Sequence, residues 1–157
     1  MADREPLVGI LVGSASDLPV LQQGGAILER LEVPHEIHVM SAHRTPEAVD
    51  EYARTAEERG LVAIICGAGK AAHLAGAVAA RTVLPVIGVP VGADQLGGAD
   101  ALYSTVQMPR GVPVATVGID GAVNAAILAA QILAVRDAEV RKRLHEFKES
   151  LAEGFKL

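Results

Sequence analysis

The sequence has no tryptophan, two phenylalanines, two tyrosines and one cysteine, Cys66. A single thiol excludes a disulfide framework and any cysteine-rich zinc site. With aromatics at 3%, the core has to be Val, Ile, Leu and Ala, and a flavin would find few rings to stack on. Basic charge is also short. Fourteen Lys and Arg face 19 Asp and Glu, a formal net charge of −5. A nucleic-acid surface needs basic patches that release counterions, so no nucleic-acid partner is expected. No uninterrupted apolar run reaches the ~18 residues of a membrane span, so no membrane partner is expected. The opening MADREPLV lacks the basic-then-apolar layout of a signal peptide. The expectation is a soluble cytoplasmic protein.

Apolar residues make up half of the 157-residue chain, and mean hydropathy is +0.32. Such a chain buries a core without staples, and disorder is excluded. One domain over 1–157 is expected. Short β-branched runs alternate with helical patterns. The runs are 7–12 (LVGILV), 36–40 (EIHVM), 61–66 (LVAIIC), 85–89 (PVIGV) and 112–119 (VPVATVGI). Several are apolar on both faces, as central parallel strands are. Helices are predicted over 18–31, capped by Ser16 or Asp17, and over 46–59, capped by Thr45 and stopped at Gly60. Further helices are predicted over 71–82, 100–107 and 122–133, with 104–111 marked as loop by Pro109 and Gly111. Alternation of this kind specifies an α/β fold: a three-layer αβα sandwich on a flavodoxin-like or Rossmann-like parallel sheet.

Beyond the last strand the chain changes character. Residues 136–155 are charged and amphipathic, with Val140, Leu144, Phe147 and Leu151 at helical spacing. This extra C-terminal helix either folds back or docks on a neighbouring subunit. The helix before it, AVNAAILAAQILAV, is apolar nearly all round and reads as buried on every side. Together they predict a homo-oligomer.

Three loops follow the first three strands and share one edge of an open parallel sheet, where they can converge on a ligand. The first is Gly13-Ser14-Ala15-Ser16-Asp17. Its hydroxyls and backbone N–H groups suit phosphate, and Asp17 suits sugar hydroxyls; plain helix capping is the alternative. The second is Ser41-Ala42-His43-Arg44-Thr45-Pro46. Arg44 offers a fork of donors to an anion. His43 brings the one side-chain type that exchanges protons near neutrality without perturbation. The third is Gly67-Ala68-Gly69-Lys70-Ala71-Ala72-His73-Leu74. It is neither a Walker motif, lacking Ser or Thr after Gly-Lys, nor a dinucleotide fingerprint, having Ala72 where the third Gly belongs. Its small residues suit a flat group lying on backbone. His73 is either a ligand contact or a structural histidine. His35, His38 and His145 carry no functional signal, and no residue group has metal-ligand spacing, so no metal is expected.

In this order GSASD, SAHRTP and GAGKAAHL resemble the signature loops of class I N5-carboxyaminoimidazole ribonucleotide (N5-CAIR) mutases of purine synthesis. The likeness continues through LPVIGVPV, DALYSTVQMPRGVPVATV and NAAILAAQILA. The resemblance implies an isomerase that moves a carboxylate from the exocyclic nitrogen of N5-CAIR to ring carbon 4, giving 4-carboxy-5-aminoimidazole ribonucleotide (CAIR). It implies no ATP, metal, biotin or other cofactor, and an octamer with sites near subunit junctions. By motif position, Gly13, Ser14, Ser16 and Arg44 hold the 5′-phosphate side and Asp17 the ribose. His43 is the acid–base group. Ser41, Ala42, Gly67, Ala68, Gly69, Lys70, Ala71, His73 and Leu74 enclose the imidazole and carboxylate.

Two positions depart from the family loop GAGGAAHLPG. Lys70 replaces Gly, and Ala75 replaces Pro. Lys70 either points to solvent or reaches the substrate carboxylate, and it is strained if the family Gly sits at positive φ. The alternatives are a class II-type carboxylase that uses CO2 directly on the aminoimidazole ribonucleotide (AIR), or a nucleotide-binding module without catalysis.

Overall fold

A computed structural model of the chain describes residues 5–92 and 95–156. Five parallel strands form one sheet in the order β2-β1-β3-β4-β5. They are β1 (Val8–Val12), β2 (His35–Val39), β3 (Ala63–Gly69), β4 (Val86–Val91) and β5 (Ala115–Thr116). The helices are α1 (Leu18–Arg30), α2 (Pro46–Thr55), α3 (Leu74–Ala79), α4 (Ala99–Val106), α5 (Ala122–Ala134) and α6 (Ala138–Ala152). This is the flavodoxin-like order, whose direction of winding reverses between β1 and β3 and opens a crevice beyond their carboxyl ends.

The period-two geometry of the strands sorts the core into two layers. Val8, Ile10 and Val12 pack with Ile65, Ile87 and Val89 beneath α1, α5 and α6. Leu11, Ile64, Cys66 and Val86 face the other way, onto α2 and α3. Both faces of β1 are buried, which is why its sequence shows no alternation.

The all-round apolar α5 is covered within its own chain. Its alanines 122, 125, 126, 129 and 130 are fully buried against α1, the sheet and α6. Gly24 lets α1 approach closely, since a Cβ there would stand 2.8 Å from the Ala122 carbonyl oxygen. Helix α6 folds back on α5 and buries Val140, Leu144 and Phe147 in the same layer. Asp137 caps α6 by accepting from the N–H groups of Glu139 (2.9 Å) and Val140 (3.0 Å). Arg141 donates to the carbonyls of Ala134 (2.9 Å) and Val135 (2.8 Å). Those are carbonyls that the end of α5 leaves without helical partners.

Several boundaries differ from those predicted. The run 112–119 pairs only at Ala115–Thr116, an edge position where Pro113 cannot extend the ladder. Residues 104–106 belong to α4, anchored by Thr105 Oγ1 donating to Ala101 O at 2.7 Å; the loop starts at Gln107. Helix α2 ends at Thr55, with a turn carrying the chain to Gly60 at φ +86°. Helix α3 starts at Leu74, because 70–73 make two tight turns, Ala72 N–H to Lys70 O and His73 N–H to Ala71 O. Neither Ser16 nor Asp17 caps α1 with its side chain; Ser14 instead caps a single 3-10 turn, Ala15–Asp17, that precedes it. Thr45 stands at the N-cap of α2 as predicted, though its side chain makes no capping bond to the helix.

Away from the crevice, Glu36 on β2 gathers three partners. Tyr52 donates its hydroxyl at 2.6 Å, Arg59 donates at 2.7 Å, and His38 Nε2 lies 3.2 Å away. Partial burial works against the carboxylate, but these three bonds outweigh it and hold its pKa below the ordinary range. Gly9 makes room for the Tyr52 hydroxyl.

Candidate active site

The three loops meet beyond the carboxyl ends of β1, β2 and β3 and enclose a cavity of about 670 Å³, a common size for a small-molecule site. The first loop contributes Gly13, Ser14, Ser16 and Asp17, and the second contributes Ser41, Ala42, His43 and Arg44. From the third come Ala68, Gly69, Lys70, Ala71, His73 and Leu74. Of the residues named from sequence, only Gly67 is not on the wall. A Cβ at 67 would collide with the buried Leu21 side chain, so this glycine lets α1 close on β3, and its carbonyl accepts from Gly13 N–H at 2.9 Å.

The second loop is locked by its own side chains. Ser41 N–H donates to Thr45 Oγ1 (2.9 Å), and that hydroxyl donates back to Ser41 O (3.2 Å). Ser41 Oγ accepts from the N–H groups of His43 (3.3 Å) and Arg44 (3.2 Å). Local bonds of this kind let Ser and Thr fix a turn instead of a helix. They aim His43 and Arg44 in different directions. Arg44 Nη2 donates to Gly13 O at 2.9 Å, tying the second loop to the first. His43 Nε2 meets His73 Nδ1 at 2.7 Å, tying the second loop to the third.

That imidazole pair was not foreseen. Both rings are exposed to the cavity and meet edge to face, with centroids 4.8 Å apart and planes at 76°. Two nitrogens at this distance share one proton, donated by one ring and accepted by the other. The separation in sequence, 43 to 73, hides the contact. The two residues follow β2 and β3, which flank β1 in the sheet, an order that spacing in the sequence does not reveal.

In the first loop Ser14 Oγ lies 2.9 Å from Ser16 Oγ, and Ser16 donates to Asp17 Oδ1 at 3.2 Å. Since Ser16 has one hydroxyl proton, Ser14 is the donor to it. The carboxylate of Asp17 is the end of this chain and is buried to 7% exposure at the cavity edge. Cys66 lies behind the wall, and full burial raises its thiol well above the ordinary value, so it offers no thiolate. Among the described residues, no group of three His, Cys, Asp or Glu is placed to hold a metal. No described helix is long and apolar enough to cross a membrane.

A family model described as AIR carboxylase matches residues 7–154. The chain belongs to that family. An N5-carboxyaminoimidazole ribonucleotide mutase of Pyrococcus abyssi is 57% identical over 93% of this chain and 84% of its own length. A protein of the same name from Mycobacterium tuberculosis is 54% identical over 97% of this chain and 87% of its own. The phosphoribosylaminoimidazole carboxylase of Candida glabrata is 54% identical over 92% of this chain, which spans 25% of that longer protein. Among solved structures, Treponema denticola PurE superposes with a TM-score of 0.84 at 33% identity, covering 94% of this chain and 92% of that one. The family's fold is therefore the one described here.

Proposed function

We propose that the chain is an N5-CAIR mutase that converts N5-CAIR to CAIR in this cavity. The reading is carried by the meeting of His43 with His73 in a small-residue cavity, on a chain whose near full-length relatives bear that name. The ribonucleotide lies with its 5′-phosphate on Ser14, Ser16 and Arg44, beside the backbone of Gly13, and its ribose against Asp17. The base rests on Ala42, Ala68, Gly69, Ala71 and Leu74, with Ser41 at its edge.

His43 first donates a proton to the carbamate nitrogen. The carbon–nitrogen bond breaks, releasing CO2 and leaving AIR with an uncharged amine. Ring carbon 4 of AIR, enamine-like, then attacks CO2. His43 removes the proton from that carbon, and aromaticity returns. One imidazole serves both steps because it recovers the proton it gave. His73 fixes the ring orientation of His43 and holds the other end of the shared hydrogen bond. The Ala and Gly lining supports the reading in a second way: a neutral amine and CO2 need a dry, close-fitting space more than they need charges. On this reading no ATP, metal or other cofactor takes part.

Assembly belongs to the same proposal. The chain forms a cytoplasmic homo-octamer, with the outer surface of residues 136–157 against a neighbouring subunit. Apolar side chains left open on the single chain support it, among them Val83, Leu96, Tyr103 and Val135. Light scattering of the purified protein tests it directly; a monomer at micromolar concentration refutes it.

A paired assay tests the chemistry. One arm supplies N5-CAIR without bicarbonate, the other AIR with bicarbonate, and both follow CAIR by ultraviolet absorbance. Rapid conversion in the first arm alone is expected, and H43N abolishes it while keeping nucleotide affinity within a few-fold. The Candida glabrata carboxylase supports direct carboxylation as the second reading, and efficient conversion in the second arm would establish it. Silence in both arms leaves a nucleotide-binding module.

A further inference from the structure

His73 occupies the N-cap position of α3, yet its side chain makes no capping bond. Short polar side chains that turn back onto the first helical N–H groups are preferred there. The imidazole reaches away from its own helix instead, to His43 on the second loop. Both residues are exposed and line the cavity, so burial in the core does not explain the placement.

The contact fixes more than the position of a ring. It joins Nε2 of His43 to Nδ1 of His73 at 2.7 Å. The ring centroids are only 4.8 Å apart, so the two nitrogens face each other nearly along the line of centres, one N–H against one lone pair. An imidazole has two nitrogens. With Nε2 engaged, Nδ1 is the nitrogen that His43 has left for a ligand. Among the described residues nothing bonds to it.

We propose that His43 exchanges its proton with the ligand through Nδ1, and that His73 is the positioning residue that enforces this by accepting from His43 Nε2–H; this rests on the mutase reading above. Proton counting decides the direction of the bond. The carbamate nitrogen takes the Nδ1 proton with its own lone pair, and the N–H electrons stay on Nδ1. Were His73 the donor, His43 would then hold no proton of its own and would have to pull one across from His73. With His43 Nε2–H as donor, the ring passes from imidazolium to neutral imidazole and the bond to His73 is unchanged. The bare Nδ1 next takes the proton from ring carbon 4, the C–H electron pair returns to the ring of the nucleotide, and the imidazolium is restored. A neutral ring with its proton on Nδ1 could not accept there. The hydrogen bond made by one nitrogen of a histidine thus selects the state of the other.

The test compares H73N and H73F with the wild type in turnover of N5-CAIR, with CAIR affinity and Tm measured on each. The Asn side-chain oxygen stands near the place of Nδ1 and accepts a hydrogen bond, whereas Phe keeps a ring without an acceptor. H73F is expected to lose kcat about 100-fold, with KM and CAIR affinity within about threefold. H73N should recover most of that kcat. In a second arm, His43 is replaced by Nδ1-methylhistidine, which blocks the proposed nitrogen and spares Nε2; turnover should be abolished. Turnover that survives the methyl group makes Nε2 the reacting nitrogen and overturns the proposal. So does an unchanged kcat in H73F, or an equal loss of kcat in H73F and H73N. A wild type that turns over neither N5-CAIR nor AIR overturns the mutase reading itself, and this inference with it.

Discussion

Gly67 and Gly69 sit two residues apart on β3, and the structure gives them different duties. At Gly67 an added Cβ would stand 2.8 Å from Leu21 Cγ and 3.0 Å from Cδ1, with Cδ2 closer still. Leu21 is fully buried on α1, so its side chain has nowhere to retreat except by moving the helix. Overpacking of this kind costs about 1–3 kcal/mol. Reduced freedom of the unfolded chain returns about 0.4–1 kcal/mol of that. A net loss of about 1–2 kcal/mol is expected for G67A, which lowers Tm by about 2–8 °C in a chain of this size. At Gly69 the added Cβ would meet the Val91 carbonyl oxygen at 3.3 Å, a contact that a small shift relieves, but the residue lines the cavity. G69A should therefore lose ligand affinity while keeping Tm near that of the wild type. The assay is a thermal melt and a nucleotide titration at 25 °C on each variant. A G67A protein with unchanged Tm and weakened binding would refute the reasoning, because Gly67 would then be serving the ligand.

Three further outcomes follow from the fold. Y52F removes one of three bonds to Glu36 and leaves Arg59 in place; a loss of about 1–2 kcal/mol in urea unfolding is expected, and a loss below a few tenths counts against that hub. Glu36 has its folded pKa held below the unfolded value, so its contribution is complete above the ordinary carboxylate range and drains away as pH falls through the folded value. E36Q should accordingly flatten stability against pH below about pH 5, and a slope identical to wild type would exclude Glu36 as its source. D137A deletes the cap of α6 and should cost about 1 kcal/mol, read as an earlier melt with nucleotide affinity untouched.

Much of the fold was legible because its signals are local. Residues 8–12 and 63–66 are apolar without alternation, which only a strand covered on both faces explains. The ends were harder. The run 112–119 has β-branched composition, yet only two residues pair, because edge position and Pro113 are properties of the assembled sheet. The apolar circumference of α5 pointed to a subunit contact, whereas α1, the sheet and α6 of the same chain already cover most of it. Sequence separated neither case, since burial looks the same whichever chain supplies the partner. At the site, loop composition named the wall residues well. It did not set apart Gly67, which stands off the described wall against Leu21, because a glycine that admits a ligand and one that admits a leucine read alike. It also missed the His43–His73 contact, which joins the loops after β2 and β3, two strands that flank β1 only in the assembled sheet.

Every described residue of the cavity wall lies between Gly13 and Leu74. The described residues from β4 to α6 are not among those that line it. The wall is thus written in the first half of the sequence, interleaved with part of the scaffold, while the second half is scaffold. Drift in the second half is free to retune durability and assembly, as in the small-residue seam between α1 and α5, while the reacting groups stay in register. Random mutagenesis should display this as an asymmetry: lesions that silence a well-folded protein cluster on the wall residues between 13 and 74, whereas lesions in the second half reduce how much folded protein there is.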